Sequence, residues 1–278
     1  MSGATTPAPG LLVRGFAPPL RLADFALIAF DMDSTLISIE CVDEIADVAG
    51  KKAEVAAITE AAMRGEIADY KESLRRRVAL LAGVPAAALQ RVYDERLRFN
   101  PGAEALVAAC RGAGLKTLLV SGGFTFFTDR VRDRLGFDFT RSNVLGIEAG
   151  AVTRRGRDDG VLTGRSMDDG VLTGRSMDDG VLTGRSIDEG VLTGRLVDQP
   201  WGDICDGEEK KKMLLETCAA LGVAPARAIA VGDGANDLPM LAAAGLSVAY
   251  RAKPKVRAAA MIAIDSGGLD RLLEVVRP

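Results

Sequence analysis

The stretch from Ala26 to Thr35, ALIAFDMDST, decides the fold of this chain. Its first five residues, Ala26 to Phe30, are apolar and run without interruption into two aspartates that stand two positions apart, Asp31 and Asp33. A short apolar run that ends abruptly in polar residues is typical of a strand buried on both faces of a parallel sheet. The acidic pair is therefore expected at the carboxyl end of a buried strand.

Two later stretches show the same pattern. Leu115 to Val120 leads into Ser121-Gly122-Gly123, and Ala228 to Val231 leads into Gly232-Asp233. Helical stretches separate the strands, over Gly102 to Ala113 and over Glu208 to Leu221. This alternation predicts an α/β fold with a doubly wound, Rossmann-like parallel sheet. Ligands bind such sheets beyond the carboxyl ends of the strands, so the three polar turns are expected to meet at one site.

Residues 37–100 differ from this pattern because they show helical periodicity and no good strand. Four helices are predicted there, over Val42 to Val48, Glu54 to Met63, Tyr70 to Leu81 and Pro85 to Leu97. We interpret the segment as a small all-helical cap inserted after the first strand. A cap in this position can fold over the ligand edge of the sheet and exclude water.

The absence of histidine restricts the possible functions of this chain more than its average composition does. The chain has 278 residues, 48% of them hydrophobic, and a net charge of -3, which is the balance of a soluble globular protein and implies neither a nucleic-acid nor a membrane partner. It contains no histidine, which excludes Ser-His-Asp and Cys-His catalysis and any zinc site that needs imidazole. Acid-base chemistry must therefore use carboxylates, lysine or tyrosine.

The four cysteines form no C-x-x-C pair, and no secretion signal or membrane span is evident, so a reduced, cytoplasmic protein is predicted. Residues 1–20 are rich in proline and are predicted to be a flexible tail. The predicted core domain then covers residues 21–36 and 101–278, with the helical cap at 37–100.

A ten-residue unit built on D-[DE]-G-V-L-T-G-R occurs four times in tandem over residues 158–197. We interpret the extra copies as a tolerated duplication in a hairpin of the core, because long insertions cost little loop entropy. An ordered β extension that binds a ligand and acidic turns that hold Ca²⁺ are the alternatives. Identical copies can pair with one partner strand, expected at Val144 to Ile147, in several registers.

The polar turns carry the candidate chemistry. A D-x-D pair can hold Mg²⁺ or supply a nucleophile and an acid, but it also occurs in sugar-nucleotide transferases and in helix caps. The second acidic turn, Gly232 to Asp237, reads GDGAND and fails the dinucleotide pattern because Asp237 replaces the third glycine. Four acids facing one point, namely Asp31, Asp33, Asp233 and Asp237, repel one another unless a cation and a phosphate share the site.

An anion could be bound by the third turn and by a lysine. Ser121-Gly122-Gly123 offers a hydroxyl and bare backbone N–H groups, although a plain turn is an equally good interpretation. Lys210 lies 23 residues before Asp233 and could reach the same anion, although it belongs to a run of three lysines of the kind that is usually solvated.

In this order and at these distances, D-M-D-S-T, S-G-G-F, a lysine and G-D-G-A-N-D resemble the haloacid dehalogenase superfamily of phosphotransferases, and more closely its phosphoserine phosphatase branch. The resemblance implies that Asp31 is a nucleophile forming an aspartyl-phosphate and that Asp33 is the acid and base. It also implies Mg²⁺ held by Asp31, the Asp33 backbone carbonyl and Asp233 with support from Asp237. Ser121, Gly122 and Lys210 would then bind the phosphoryl group.

The cap would select the substrate. Leu74, Val78 and Leu81 form one helical stripe, with Arg77 and Tyr70 on the same side and Arg76 pointing away. The resemblance assigns the substrate carboxylate to Arg77 and the ammonium to Glu40, with Tyr70 closing the pocket and Asn236 in the substrate-binding set. Tyr70 matches less closely than the others because the stretch before it is one residue longer than the family spacing.

These roles predict a Mg²⁺-dependent phosphatase of O-phosphoserine, a small-molecule substrate whose three charges the site would match. Two alternatives remain open: the same chemistry on another small phosphomonoester such as phosphohomoserine or histidinol phosphate, and a non-catalytic scaffold built on the repeats. The sequence also leaves open whether two copies form a homodimer.

Overall fold

The computed structural model describes residues 4–64, 66, 67, 69–149 and 190–278. Most of its strands form one nine-stranded sheet in the order β1-β2-β10-β9-β8-β4-β5-β6-β7, and β3 pairs with β11 in a separate two-stranded sheet. The strands are β1 Thr5–Ala8, β2 Leu11–Val13, β3 Leu20–Arg21, β4 Leu27–Phe30, β5 Lys116–Phe124, β6 Phe139–Ala149, β7 Gly190–Val197, β8 Ala228–Gly232, β9 Leu246–Tyr250, β10 Ile262–Ile264 and β11 Val276–Arg277.

Strand β4 lies at the point where the chain reverses its direction of winding. The sheet grows from β4 through β5 to β6 on one side and through β8 and β9 to β10 on the other, with all of these strands parallel. Asp31 and Asp233 follow the two central strands β4 and β8, which pair with each other. They therefore stand at the switch point of a doubly wound sheet, where such folds bind their ligands.

Alternate residues of β4 enter two different core clusters. Ile28 and Phe30 pack in one cluster, while Leu27 and Ala29 pack in the other, and all four are fully buried. The helices that cover the two faces are α5 Ala103–Gly112, α6 Thr125–Leu135, α7 Gly207–Ala220, α8 Leu238–Ala243 and α9 Pro254–Ala259. Burial on both faces explains why the strand reads as a continuous apolar run rather than as an alternating one.

Four helices occupy the segment between β4 and α5, where the periodicity predicts them. They are α1 Cys41–Val48, α2 Lys52–Met63, α3 Tyr70–Ala79 and α4 Ala87–Glu95. On α3, Leu74 and Val78 are buried, whereas Arg76 is exposed and pairs with Glu72 one turn earlier. We call residues 37–100 the cap.

Strand β7, the described part of the last repeat copy, connects the core to the cap. It pairs antiparallel with β6, with Val144 opposite Val197 and Ile147 opposite Leu192, so the partner strand is the predicted one. Its other edge meets the loop between α3 and α4, where Leu192 N donates to Val84 O and Gly83 N donates to Leu192 O, both at 2.8 Å. The first three repeat copies lie outside the described residues.

The prediction of a flexible tail over residues 1–20 is wrong for its described part. Leu11 and Val13 are buried in β2, which pairs antiparallel with β10 and extends the main sheet. One Arg14 guanidinium nitrogen donates to the carbonyl oxygens of Arg257 and Ala260, both at 3.0 Å. A three-residue strand preceded by Pro9-Gly10 carries little periodicity, and its partner β10 is about 250 residues away in the sequence.

The three predicted core strands are present, with one difference in length. β5 continues as extended chain to Phe124 and so includes the Ser121-Gly122-Gly123 segment, which was predicted as a turn after Val120. Among the described residues, no helix is both long and apolar enough to cross a bilayer.

Candidate active site

A cavity of about 700 Å³ lies between the carboxyl ends of the central strands and the cap. Of the residues predicted to form the site, those that line it are Asp31, Asp33, Glu40, Tyr70, Arg77, Ser121, Gly122, Asp233 and Asn236. Lys210 and Asp237 are absent from the lining and are fully buried. The structure therefore brings the predicted residues together and sets these two behind the cavity wall.

Asp31 follows β4 directly and is 5% exposed. Its Oδ1 accepts the Met32 N–H at 2.7 Å and lies 2.7 Å from the Lys210 ammonium. Burial and the neighbouring Asp237 raise the pKa of Asp31, while Lys210 opposes the rise. The carboxylate thus depends on Lys210 to keep its charge in a site almost free of solvent.

Lys210 lies in the first turn of α7, a helix capped by Asp206, whose side chain accepts the Glu209 N–H at 3.0 Å. Its Nζ is 2.7 Å from both Asp31 Oδ1 and Asp237 Oδ1. Burial alone lowers the pKa of this lysine, but the two carboxylates raise it by more. A fully buried ammonium between two carboxylates remains charged, and it fixes the distance between them.

Asp33 has different surroundings from Asp31. Its Oδ2 accepts the Cys41 N–H at 2.9 Å, and the Cys41 thiol lies 3.3 Å from Oδ1. Burial and, after it, the charge of Glu40 raise the pKa of Asp33 to about 7. Glu40 is itself held by Ser34, whose hydroxyl donates to Glu40 Oε1 at 2.6 Å. A carboxyl group with such a pKa can both give and take a proton at neutral pH.

The GDGAND segment folds around Asp237. Its Oδ2 accepts the N–H groups of Asp233 and Gly234, both at 3.0 Å, so the segment wraps around one carboxylate. A Cβ on Gly232 would lie 2.5 Å from the Asp237 carboxyl carbon, which explains the glycine there. Thr35 donates to Asp233 Oδ1 at 2.9 Å, and burial and Asp237 raise the pKa of Asp233 to about 6.

Three of the four acids form a cluster that fits a divalent cation. Asp31, Asp233 and Asp237 each offer an oxygen, and these atoms lie within 4.8 Å of one another. Lys210 supplies one positive charge against these three carboxylates, and burial together with the charge of Asp237 raises the pKa values of Asp31 and Asp233. Hard oxygen donors suit Mg²⁺. Because both oxygens of Asp237 already accept hydrogen bonds, this residue supports the cluster from behind.

The Ser121-Gly122-Gly123 segment lines the cavity beside Asp33, since a Cβ on Gly123 would lie 3.2 Å from Asp33 Oδ1. Ser121 Oγ accepts the Gly123 N–H at 2.9 Å, and the residue is fully buried. A Cβ on Gly122 would collide with the Tyr70 hydroxyl, and one on Gly123 would lie 3.0 Å from Met32 Cε. Both glycines are thus closely approached by side chains that line or underlie the cavity.

The cap contributes a basic and an acidic group to the cavity. Arg77 and Glu40 both line it, as does Tyr70 at the start of α3. Among the described residues, Arg77 Nε is a buried side-chain donor without a hydrogen-bond partner, and Asp43 Oδ1 is a buried acceptor without one. Such groups are costly to bury, so an unpartnered arginine nitrogen beside a cavity indicates a place for an anionic ligand group.

Several residues that hold the site together were not predicted from the sequence. Thr35 had no predicted role, although a hydroxyl four residues after Asp31 could have suggested one. Cys41 acts on Asp33 through its backbone N–H, for which a sequence gives no signal. Asn143 donates to the Gly122 carbonyl oxygen from β6, and only the sheet register brings the two together.

The chain is similar in sequence and fold to known hydrolases. A haloacid dehalogenase-like hydrolase family model matches residues 28–172, and a second model of the same description matches residues 204–268. A phosphoserine phosphatase of Albidiferax ferrireducens is 63% identical over 274 residues, 99% of each chain, and one of a Polaromonas species is 62% identical over 270 residues, 97% of this chain and 98% of the relative. A substrate-bound phosphoserine phosphatase structure is 29% identical with a TM-score of 0.69, over 91% of this chain and 99% of that one.

Proposed function

The chain belongs to the haloacid dehalogenase-like hydrolases, in their phosphoserine phosphatase family, and we propose that it hydrolyses O-phosphoserine to serine and phosphate through an aspartyl-phosphate. One observation carries the assignment of substrate. Glu40 and Arg77 line the same cavity as Asp31 and Asp33, so acceptors and donors for an amino acid stand next to the groups that handle phosphate. The three charges of phosphoserine each meet an opposite one.

Asp31 is the nucleophile. Its carboxylate attacks phosphorus, and the bond from phosphorus to the serine oxygen breaks, which leaves the phosphoryl group on Asp31. The Lys210 ammonium, 2.7 Å from Oδ1, keeps the carboxylate charged before the attack. The hydrogen bond from Met32 N–H fixes the direction in which the group points.

Asp33 transfers the protons. It first donates a proton to the departing serine oxygen and then takes one from the water that attacks the aspartyl-phosphate, releasing phosphate and restoring Asp31. A pKa of about 7 suits both half-reactions, and burial and Glu40 supply that value. The Cys41 N–H holds the carboxyl group in place between the two steps.

Asp31 and Asp233 would hold Mg²⁺ together with the backbone carbonyl of Asp33, and Asp237 would orient them. When bound, the cation neutralises charge that develops on the phosphoryl oxygens. Thr35 donates to one oxygen of Asp233 and so directs the carboxylate. Ser121 and Gly122 would bind the phosphoryl oxygens from the end of the neighbouring strand β5, and Lys210 would add its charge from behind Asp31.

The cap would select the amino-acid part of the substrate. Arg77 offers its unpartnered Nε to the carboxylate, and Glu40 accepts from the ammonium. Tyr70 and Asn236 line the remaining space. The four cysteines are free and buried, so the fold needs no disulfide, which supports action in a reducing cytoplasm.

The proposal is tested by phosphate release from O-phospho-L-serine with Mg²⁺ and with EDTA, beside phosphothreonine, phosphohomoserine and histidinol phosphate. We expect release that requires Mg²⁺ and favours phosphoserine. Preference for another phosphate ester would support the proposed phosphatase mechanism and overturn the assignment of phosphoserine as the substrate. A folded protein inert on the whole panel would overturn both and leave the repeat-based scaffold as the alternative.

A further inference from the structure

The peptide group between Gly122 and Gly123 is held at both of its polar atoms. Its N–H donates to Ser121 Oγ at 2.9 Å, and its carbonyl oxygen accepts from Asn143 Nδ2 at 2.7 Å. Because the Ser121 hydroxyl accepts this N–H, its own proton remains to be donated to a ligand in the cavity. The orientation of this one peptide therefore sets the direction in which Ser121 donates.

The same peptide is intrinsically free to rotate. Gly122 and Gly123 flank it, and a Cβ on either would come close to the Tyr70 or Met32 side chain. Glycine allows backbone angles that other residues avoid, so a Gly-Gly peptide can flip its carbonyl and N–H at little steric cost. The two glycines therefore leave the phosphate-binding segment without the backbone stiffness that would hold this peptide in one orientation.

Asn143 supplies that stiffness from the neighbouring strand. It is 1% exposed, and its register position on β6 is opposite Phe124. Its Oδ1 accepts the Cys205 N–H at 2.8 Å while its Nδ2 donates to Gly122. Only one orientation of the amide satisfies both bonds, so the side chain cannot turn without losing two buried hydrogen bonds.

The second bond leads to the helix of Lys210. Cys205 directly precedes Asp206, the cap of α7, and Arg141, two residues before Asn143 on β6, forms an ion pair with Glu209 in the first turn of that helix. A continuous series of hydrogen bonds therefore runs from the start of α7 through Asn143 and the Gly122–Gly123 peptide to the Ser121 hydroxyl. Bonds in such a series polarise and strengthen one another.

We propose that Asn143 is a positioning residue for the phosphoryl end of the site. It prevents the Gly122–Gly123 peptide from flipping, keeps the Ser121 proton directed into the cavity, and holds this wall in register with the start of the Lys210 helix. The inference rests on the proposed function, because it takes the Ser121 segment as the phosphate-binding wall. It predicts that Asn143 affects phosphate binding and leaves the amino-acid end, formed by Glu40 and Arg77, unchanged.

Two variants and one matched control test the proposal in the full-length protein. Asn143→Ala removes both bonds, whereas Asn143→Asp keeps an acceptor for Cys205 N–H and replaces only the donor to Gly122. Ser142→Ala is the control, because Ser142 is the adjacent residue of β6 and is 4% exposed. Its hydroxyl forms a buried hydrogen bond with Thr128 at 2.7 Å, and neither residue lines the cavity. Thermal unfolding shows which variants fold.

The readouts are kcat/KM for O-phosphoserine and the inhibition constants of inorganic phosphate and of L-serine. For both Asn143 variants we expect kcat/KM to fall about 100-fold, the order seen when a reacting group is misplaced by an ångström. Phosphate inhibition should weaken by about tenfold or more while serine inhibition stays within about twofold. Ser142→Ala should resemble the wild type in all three.

Two results would overturn the proposal: phosphate inhibition unchanged in a folded Asn143→Asp protein, or phosphate and serine inhibition weakened equally, which would indicate general loosening. Failure of the wild type to hydrolyse phosphoserine would instead count against the proposed function. In that case, calorimetric binding of inorganic phosphate with Mg²⁺ to the wild type and to Asn143→Asp still tests Asn143, because loss of binding supports its role and equal binding overturns it.

Discussion

The Lys210 ammonium lies 2.7 Å from Asp31 Oδ1, and the lysine has no solvent exposure at all. Lys210 lies on α7 and Asp31 follows β4. These elements are far apart in the chain and come together because β4 pairs with β8, the strand that follows α7. A buried ion pair of this kind fixes geometry more than it stabilises the fold, since taking both charges out of water offsets much of their attraction. Its effect is expected mainly on catalysis.

Asp31→Asn tests the nucleophile. An amide of the same shape can still accept from Met32 N–H but cannot attack phosphorus, so we expect kcat to fall at least about 1,000-fold while the protein remains folded. Steady-state kinetics and circular dichroism measure the two effects. Asp24→Asn is the control, because Asp24 pairs with exposed Arg21 on the surface and should keep full activity. An active Asp31→Asn enzyme would disprove the mechanism.

Arg77→Ala tests carboxylate recognition. Loss of a charge-assisted bond should raise KM for O-phosphoserine by about 10- to 100-fold, whereas phosphoethanolamine, which lacks the carboxylate, should be affected little. Arg76→Ala is a matched control on the same helix, since Arg76 is exposed and pairs with Glu72. If KM rose equally for both substrates in Arg77→Ala, the arginine would have a structural role instead.

Gly122→Ala tests the close approach of the cap to the sheet. The new Cβ would collide with the Tyr70 hydroxyl and lie 3.3 Å from the ring carbon that bears it. We expect a large loss of kcat/KM that Tyr70→Phe partly restores in the double variant, because the hydroxyl is then absent. Gly112→Ala has open space in α5 and should be active and more stable by about 0.5–1 kcal/mol. No recovery in the double variant would argue against this contact.

The acid cluster predicts a pH-dependent stabilisation by Mg²⁺. Burial raises the pKa of Asp233 from 3.8 to about 6, so the folded protein keeps a proton that the unfolded chain loses between these values. Without metal, this group's contribution to the free energy of unfolding therefore falls as pH rises through that window, by about 3 kcal/mol. A cation that replaces the proton is needed more at high pH than at low pH.

The increase in Tm caused by Mg²⁺ over EDTA should thus be larger at pH 8 than at pH 5, as measured by scanning calorimetry. Asp233→Asn should lose most of this increase. Asp265→Asn should keep it, because Asp265 pairs with Arg257 outside the cavity. Equal increases at both pH values would show that the cluster does not bind the cation in competition with protons.

Deletion of Asp158 to Ile187 tests the repeats. The described part of the last copy already supplies β7, with Leu192 buried against β6 and the cap loop, and this copy stays intact in the deletion. We expect kcat to remain within about a factor of two, because insertion length has a small entropic cost. Leu192→Ala in the full-length chain should lower Tm. A deletion that abolished activity would show that the extra copies take part in folding or catalysis.

The sequence predicted those parts of the molecule that depend on local pattern. β4 and β8 are buried on both faces, so their apolar runs and the polar residues that follow them were visible without a structure. Cap helices α1, α3 and α4 were visible for a similar reason, because each buries one apolar face. The acids of the site were recognised because they follow the strands directly.

What the sequence did not predict depends on contacts between distant segments. β2 is too short to carry a periodic signal and is defined by its partner β10. Asn143 contacts Gly122 only because the β5–β6 register brings the two together. Cys41 donates to Asp33 through its backbone N–H, a group that every residue except proline possesses. β5 was predicted to end at Val120, before a Ser121-Gly122-Gly123 turn, although here the two glycines are extended and are closely approached by side chains.

The pairing of β2 with β10 has a consequence for how the protein is made. The two strands are separated by about 250 residues, so this edge of the sheet cannot close until nearly the whole chain has been synthesised. During translation the apolar residues Leu11 and Val13 have no partner, and neither does the β8 side of β4. A nascent chain with unpaired strand edges can associate wrongly with other chains. This risk lasts until β8 and β10 have been synthesised and have paired with β4 and β2.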